Sequence, residues 1–204
     1  RLFIDEELGV SVTSKSIKKI IEESYLSSRT LSEATFKLVN SLFSNYGLII
    51  LDPNSKTLKE VMIPFFKNEL FDQGCNKHVS IQINKLRKDY DNNYKSQVNP
   101  REINLFYLKK GERKRIVKTK DGFKLSNSSK EFTSVSIEQE LFENPQRFSP
   151  NVLMRPLFQE IILPNVSYIG GSAEITYWLE LKTFFEYHKT PFPALLIRDS
   201  CLLL

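Results

Sequence analysis

Cysteine, histidine, methionine and tryptophan are scarce in this 204-residue chain: two, two, two and one. Cys75 and Cys201 lie far apart and outside any CxxC or zinc-ligand spacing, which excludes a disulfide framework and a cysteine-based metal site. His78 and His188 have no acid or nucleophile at a telling spacing, so neither is assigned a role and no metal site is evident. There is no GxGxxG, no GxxxxGK[ST] and no GxSxG, so no standard nucleotide or hydrolase fingerprint is present. No apolar run approaches the roughly 20 residues of a membrane-spanning helix. The start, Arg1-Leu-Phe-Ile-Asp-Glu-Glu, does not read as a signal peptide. The expectation from these absences is a reducing, cytoplasmic setting with free thiols and no membrane partner. The missing initiator Met and the apolar Cys201-Leu-Leu-Leu end suggest a piece of something longer.

What is present is ordinary globular composition, 41% hydrophobic and 26% charged, with a net charge of +5. The excess is local. Residues 109–120, KKGERKRIVKTK, carry seven basic side chains and one acidic. Read as a ribbon, Arg113, Arg115 and Val117 face one side and Lys114, Ile116 and Lys118 the other. Basic residues on both faces argue against one nucleic-acid-binding stripe and for a solvated hairpin.

Hydrophobic spacing predicts helices over Ser16–Leu26 and from the Thr30-x-x-Glu33 box onward, the latter with a Phe36, Val39, Leu42, Phe43 stripe. Gly47 stands where a left-handed cap is expected. Leu48–Leu51 reads as a strand buried on both faces, stopped by Asp52-Pro53-Asn54. A helix over Leu58–Leu70, bent or broken at Pro64, and another over Lys77–Tyr90 follow. Ile103–Leu108, Arg113–Lys118 and Phe123–Leu125 then form a three-stranded antiparallel meander, with Asp121-Gly122 as a hairpin turn. The last third predicts a helix opened by a Ser136-x-x-Gln139 box and another from about Asn151 to Ile162. It also predicts buried strands at Val166–Ile169 and Ala194–Ile197, joined by one long helix over Ala173–Tyr187. The expected fold is α/β: a Rossmann-like parallel-sheet core, incomplete in this chain, with an inserted meander plus helix. The expected segments are 1–74 and 135–204 for the core and 75–134 for the insertion.

Candidate site residues follow from strand ends and helix starts. Gly170-Gly171-Ser172-Ala173-Glu174 turns a strand into a helix and would expose backbone N–H groups to an anion. The plain alternative is a tight turn with Ser172 as N-cap and Glu174 complementing the dipole. Asp52, Arg198 and Ser200 follow predicted strands, where ligands of open α/β sheets bind. Arg155 and Gln159, one turn apart, suit a carboxylate. Trp178 and the many Phe residues read as core.

Several strings resemble the bacillithiol synthase family, the cysteine ligases of bacillithiol biosynthesis. They are Phe148-Ser-Pro-Asn-Val-Leu-Met-Arg155-Pro-Leu-Phe-Gln159, Tyr168-Ile-Gly-Gly-Ser-Ala-Glu174-Ile-Thr-Tyr177-Trp178, and Pro191-Phe-Pro-Ala-Leu-Leu-Ile-Arg198-Asp-Ser200. Tyr46-Gly47-Leu-Ile-Ile-Leu-Asp52-Pro53 and Gln97-Val-Asn-Pro-Arg101-Glu-Ile-Asn-Leu-Phe106-Tyr107 also fit, in collinear order. The resemblance implies a Rossmann-like core similar to class I aminoacyl-tRNA synthetases. It implies a cytoplasmic enzyme that joins cysteine to glucosaminyl malate through an amide bond, with ATP or ADP as nucleotide. Gly170, Gly171, Ser172, Glu174, Tyr177, Arg155, Gln159, Arg198, Ser200 and Asp52 would then bind substrate or nucleotide. The family's TGHQ-like upstream signature and its downstream coiled coil, associated with a homodimer, have no counterpart here. The chain therefore reads as a central piece, inactive alone, whose catalytic residues lie elsewhere. Gly-Gly-Ser-Ala stands where Gly-Gly-Pro-Gly is more usual, and only Arg198 and Ser200 carry over from a Pro-Arg-x-Ser stretch. The alternative is a non-catalytic or RNA-contacting module of the tRNA-synthetase type.

Overall fold

The computed structural model describes residues 6–7, 9, 11–90, 92–109 and 111–200. They divide into two compact units, Arg1–Pro53 and Asn54–Leu204.

The first unit is a helical pair, α1 (Val12–Tyr25) and α2 (Leu31–Phe43). Ser11 caps α1, and its side chain and that of Ser14 bond each other's backbone N–H. Thr30 caps α2 by accepting the Glu33 N–H at 3.2 Å. The Glu33 carboxylate reaches back to the Arg29 N–H at 3.0 Å, one residue beyond the expected box. Gly47 adopts the expected left-handed conformation, with φ of 76°. Two expectations fail here. The Phe36, Leu42 and Phe43 side chains stay 44–46% exposed, and Ala34 is the buried position of α2. Leu48–Leu51 is not a strand, and Ile49 is 62% exposed. A strand needs a hydrogen-bonded neighbour, and the described residues of this unit include none.

The second unit opens with α3 (Lys56–Val61) and α4 (Ile63–Asp72), so the helix expected to bend or break at Pro64 is broken, at Met62. Pro64 sits in the first turn of α4, where its missing N–H costs nothing. α5 (Gly74–Asp89) follows after Gln73, which takes a left-handed φ of 56°.

The antiparallel sheet has five strands, not three. They are β1 (Leu105–Lys109), β2 (Glu112–Lys118), β3 (Phe123–Leu125), β4 (Glu131–Phe132) and β5 (Phe148–Pro150), in the order β4-β3-β2-β1-β5. β5 pairs with β1, so the sheet draws strands from both sides of residue 135. Phe148-Ser-Pro150 is too short and too proline-bound to signal a strand; Pro is tolerated because β5 is an edge. Leu105, Tyr107, Ile116, Phe123, Leu125, Phe132 and Phe148 bury one face of this sheet.

α6 (Ser134–Glu143) is capped by Thr133, whose hydroxyl accepts the Ser136 N–H at 3.1 Å. The expected Ser136 cap is therefore the third helical residue. α7 (Arg155–Ile162) starts four residues later than expected, with Pro156 in its first turn.

β6 (Ser167–Gly170) and β7 (Ala194–Ile197) form a parallel pair. Contrary to expectation neither is buried: Ile169 is 63% and Ile197 68% exposed. The single long helix between them is instead α8 (Ser172–Leu179) and α9 (Lys182–Tyr187). The break at Glu180 and Leu181 turns Trp178, Leu181, Phe184 and Phe185 into one core, while Leu179 and Lys182 stay exposed. Trp178 is core, as its spacing predicts, 1% exposed and stacked on Tyr168.

Candidate functional site: an arginine-lined cleft

A cleft of about 760 Å³ opens in the second unit. Its walls come from four places: the segment 97–104, the β1–β2 face, the start of α7, and the β6–α8 turn.

The β1–β2 wall follows from strand alternation. Phe106 lies opposite Arg115, and Leu108 opposite Arg113, so Phe106, Arg113 and Arg115 share one face. The opposite face carries Tyr107 and Ile116 into the core. The Arg113 guanidinium lies 3.8 Å from the Phe106 ring centroid and donates to the Pro150 carbonyl at 3.1 Å. The hairpin is thus not merely solvated: its arginines line the cleft.

The start of α7 is set by Asn151. Its side-chain oxygen accepts the Leu153 and Met154 N–H groups at 2.9 and 3.2 Å. Its carbonyl accepts the Arg155 N–H at 3.0 Å. Arg155 and Gln159 both line the cleft, as their spacing suggests, and Gln159 also donates to Glu160 at 3.2 Å.

Glu180 holds the 94–98 segment. Its buried carboxylate accepts the Tyr94 hydroxyl at 2.7 Å, the Ser96 hydroxyl at 2.9 Å and the Gln97 N–H at 2.9 Å. Burial, then the Glu180 carboxylate, push the Tyr94 phenol far above its ordinary value.

Asn104 joins the first and third walls. Its side-chain oxygen accepts the Arg101 N–H at 3.2 Å and an Asn151 amide N–H at 2.8 Å. Its own N–H groups donate to Glu69, which is 1% exposed. Burial pushes the Glu69 carboxyl up to about 7, against the pull of hydrogen bonds from Cys75 and Asn104.

At the β6–α8 turn the N-cap is Gly171, not Ser172, and the Gly171 N–H donates to the Glu174 carboxylate at 2.9 Å. That N–H is therefore already engaged by the protein itself. Gly170 ends β6, with no room for a side chain: a Cβ would sit 2.8 Å from the Tyr168 ring. Glu174 and Tyr177 line the cleft. Burial, followed by Tyr168 and Glu174, raises the Tyr177 phenol above its ordinary value.

Arg198 follows β7. Its N–H donates to the Gly170 carbonyl at 2.9 Å, and its guanidinium lies about 3.5 Å from where a Gly171 Cβ would be. It touches the turn without lining the cleft, and Ser172 and Ser200 are likewise exposed beside the strand ends. Asp52 belongs to the first unit.

The cleft thus brings together Arg155, Gln159, Glu174 and Tyr177. It adds Arg101, Arg113 and Arg115, which sequence reasoning did not assign to the site. The usable signal was the shared face of Arg113 and Arg115; that this face looks into a cleft depended on what packs beyond it. Among the described residues none of the four guanidinium groups is ion-paired to a carboxylate. Burial, then the positive charge of Arg155, lower the Arg113 affinity for its proton. Two cations that repel across a concave surface, with Glu174 engaged by its own turn, leave that surface electropositive and chemically suited to an anionic group. Among the described residues no group of three or more His, Cys, Asp or Glu side chains is placed to hold a metal ion, and no helix is long and apolar enough to cross a membrane.

Comparison with known proteins agrees with the resemblance carried by these strings. The family model described as "Bacillithiol biosynthesis BshC, N-terminal Rossmann-like domain" matches residues 3–199. A protein named "Putative cysteine ligase BshC" from Flavobacterium psychrophilum is 47% identical over 198 residues, 97% of this chain and 36% of that protein. One of the same name from Flavobacterium johnsoniae is 48% identical over 197 residues, with the same coverage of each chain. A third, from Christiangramia forsetii, is 42% identical over 197 residues, again 97% of this chain and 36% of the relative. The chain therefore spans 36% of the length of these relatives. With that match across nearly its whole length, the chain belongs to the BshC family, in the Rossmann-like domain of those proteins.

Proposed function

We propose that the chain supplies the anion-binding cleft of a cytoplasmic ligase that joins the carboxyl group of cysteine to the amine of glucosaminyl malate. The observation that carries this reading is four arginines around one cleft of about 760 Å³, without a carboxylate partner among the described residues. The volume suits a small molecule rather than a macromolecular surface. The malate part of the acceptor bears two carboxylates, and guanidinium forks recognise that group in a bidentate way. Arg155 and Arg113 hold the anion, Gln159 and Tyr177 orient it, and Arg101 and Arg115 raise the local potential. Glu174 fixes the turn.

ATP or ADP, when bound, would supply the activation that turns the cysteine carboxylate oxygen into a leaving group. The arginine set is chemically suited to phosphates as well as carboxylates. Gly170, Gly171, Ser172, Arg198 and Ser200 gather at the carboxyl ends of β6 and β7, where open α/β sheets bind ligands. In this reading the parallel pair is one part of a larger Rossmann-like sheet, and the antiparallel sheet is its insertion. The small-molecule partners are cysteine and glucosaminyl malate, and the full-length protein works as a homodimer.

The test is calorimetric binding of glucosaminyl malate to the full-length protein, with amide formation followed by mass spectrometry. Arg155→Ala should weaken binding by about tenfold or more, the loss of a charge-assisted hydrogen bond pair. Unchanged affinity and turnover in Arg155→Ala and Arg113→Ala would overturn the assignment.

A second reading, contact with RNA, gains from Arg113 and Arg115 sharing one face. It requires RNA affinity that falls steeply with salt and disappears when both are neutralised.

A further inference from the structure

Glu69 sits behind the cleft, on α4, and touches none of the space a ligand would occupy. It is a buried carboxylate, 1% exposed, with no cation paired to it among the ion pairs of the described residues. Burying a charge without a counter-ion is costly, so its hydrogen bonds must hold it. One oxygen accepts the Asn104 backbone N–H at 2.7 Å and the Asn104 side-chain N–H at 2.9 Å. The other accepts the Cys75 N–H at 2.9 Å. Asn104 is itself 1% exposed.

With its nitrogen committed to Glu69 and to the Arg101 carbonyl at 2.7 Å, the Asn104 amide has one orientation. Its oxygen then points at the Arg101 N–H and the Asn151 amide. The Asn104 carbonyl accepts the Asn151 N–H at 3.0 Å, so Asn151 is gripped twice. Asn151 in turn holds the turn that leads into α7, accepting the Leu153 and Met154 N–H groups with its side chain and the N–H of Arg155, the first residue of α7, with its carbonyl. Two cleft arginines on different segments are thereby set by one carboxylate.

We propose that Glu69 is a positioning residue of the cleft, acting through Asn104 to set the Arg101 segment and the Asn151 turn that leads into Arg155. The inference rests on the anion-binding reading of the cleft. Its geometric half, the placement of Arg101 and Arg155, stands apart from that reading and is tested apart.

The role depends on Glu69 as an acceptor for Asn104, which the glutamine oxygen can also supply, the bond lost being the one from the Cys75 N–H. Glu69→Gln should therefore keep the arginine positions, and Glu69→Met, of similar length but without an acceptor, should lose them. Asn104→Ala is the second variant: it cuts the relay while its own backbone N–H can still donate to Glu69. Two measurements are made on the full chain at a temperature where each variant is folded. The first is the NMR position of the arginine side-chain N–H signals. Those of Arg101 and Arg155 should move in Glu69→Met and in Asn104→Ala and stay in Glu69→Gln. Those of Arg115, held on β2, should stay in all three. The second is calorimetric affinity for L-malate and for inorganic phosphate, which should fall about tenfold in Glu69→Met and Asn104→Ala and by less than about threefold in Glu69→Gln. A lower melting temperature with unmoved Arg101 and Arg155 signals overturns the proposal, since Glu69 would then only stabilise the fold. Signals that move as expected, in a chain whose parent form binds neither malate nor phosphate, support the positioning role and remove the anion reading instead.

Discussion

The guanidinium of Arg113 lies over the Phe106 ring at 3.8 Å and is tied to the Pro150 carbonyl, so a cleft cation is held before any ligand arrives. Pre-positioning of this kind lowers the entropy cost of binding.

The stack makes Phe106→Leu informative. An exposed cation–π contact is worth about 0.5–1 kcal/mol, so malate or phosphate affinity should weaken about two- to fivefold with the fold intact. Arg113→Lys should lose more than Phe106→Leu, because an ammonium supplies neither the planar stack nor the fork. Calorimetry on both variants checks this; equal affinity for Phe106→Leu and the parent chain would show that the stack does not position Arg113.

Glu180 presents a different dependence. Glu180→Ala leaves the Gln97 N–H without its acceptor and the Tyr94 hydroxyl with only the Thr176 carbonyl at 3.3 Å, and should destabilise the second unit by about 3 kcal/mol or more. Tyr94→Phe removes one bond and should cost about 1–2 kcal/mol. Urea unfolding gives both values, and limited proteolysis should show earlier cutting near residues 94–98 in Glu180→Ala. A cost for Glu180→Ala no larger than that for Tyr94→Phe would mean that Glu180 does not anchor the segment.

Stability should respond to pH through two opposed groups. Burial pushes Glu69 up from 4.5 to about 7, so the folded chain binds its proton more readily than the unfolded one. That contribution is fully present below about 4.5 and is lost as pH rises through about 7. Burial, then His78, push His188 down from 6.5 to about 4, so its contribution is present above about 6.5 and is lost as pH falls through about 4. Between these limits the two offset each other. Glu69→Gln should therefore steepen the loss of stability on acidification, by an amount on the order of 3 kcal/mol at most. Unfolding free energies measured from pH 4 to 8 decide it; parallel profiles for the variant and the parent chain would refute the Glu69 contribution.

Helix α6 separates two hydroxyls that look alike in sequence. Thr133→Ala removes the acceptor for the Ser136 N–H and should cost about 1 kcal/mol. Ser136→Ala, at the third helical position, removes only a hydroxyl that donates back to the Thr133 carbonyl and should cost little. A larger loss for Ser136→Ala than for Thr133→Ala would contradict the observed cap.

The sequence by itself determined the local elements whose signals are short-range. The Thr30 cap, the Gly47 left-handed turn, the β1–β2–β3 hairpins and the burial of Trp178 all follow from spacing or from one residue's conformational preference. The family strings likewise pointed to Arg155, Gln159, Glu174 and Tyr177, and these four do meet in one cleft. What only tertiary structure decided was everything that needed a partner. Leu48–Leu51 has a buried strand's composition but no strand beside it among the described residues. Phe148–Pro150 has little strand signal but an open edge of β1 to pair with. The basic hairpin is the plainest case. Alternation alone put Arg113 and Arg115 on one face, but whether that face meets open solvent or the wall of a cleft depended on Arg155, 40 residues beyond Arg115, being held beside it. Strand and helix preferences act over a few residues, whereas a charge cluster is made by contacts between residues far apart in the chain. That is why the cleft became visible only in the folded protein.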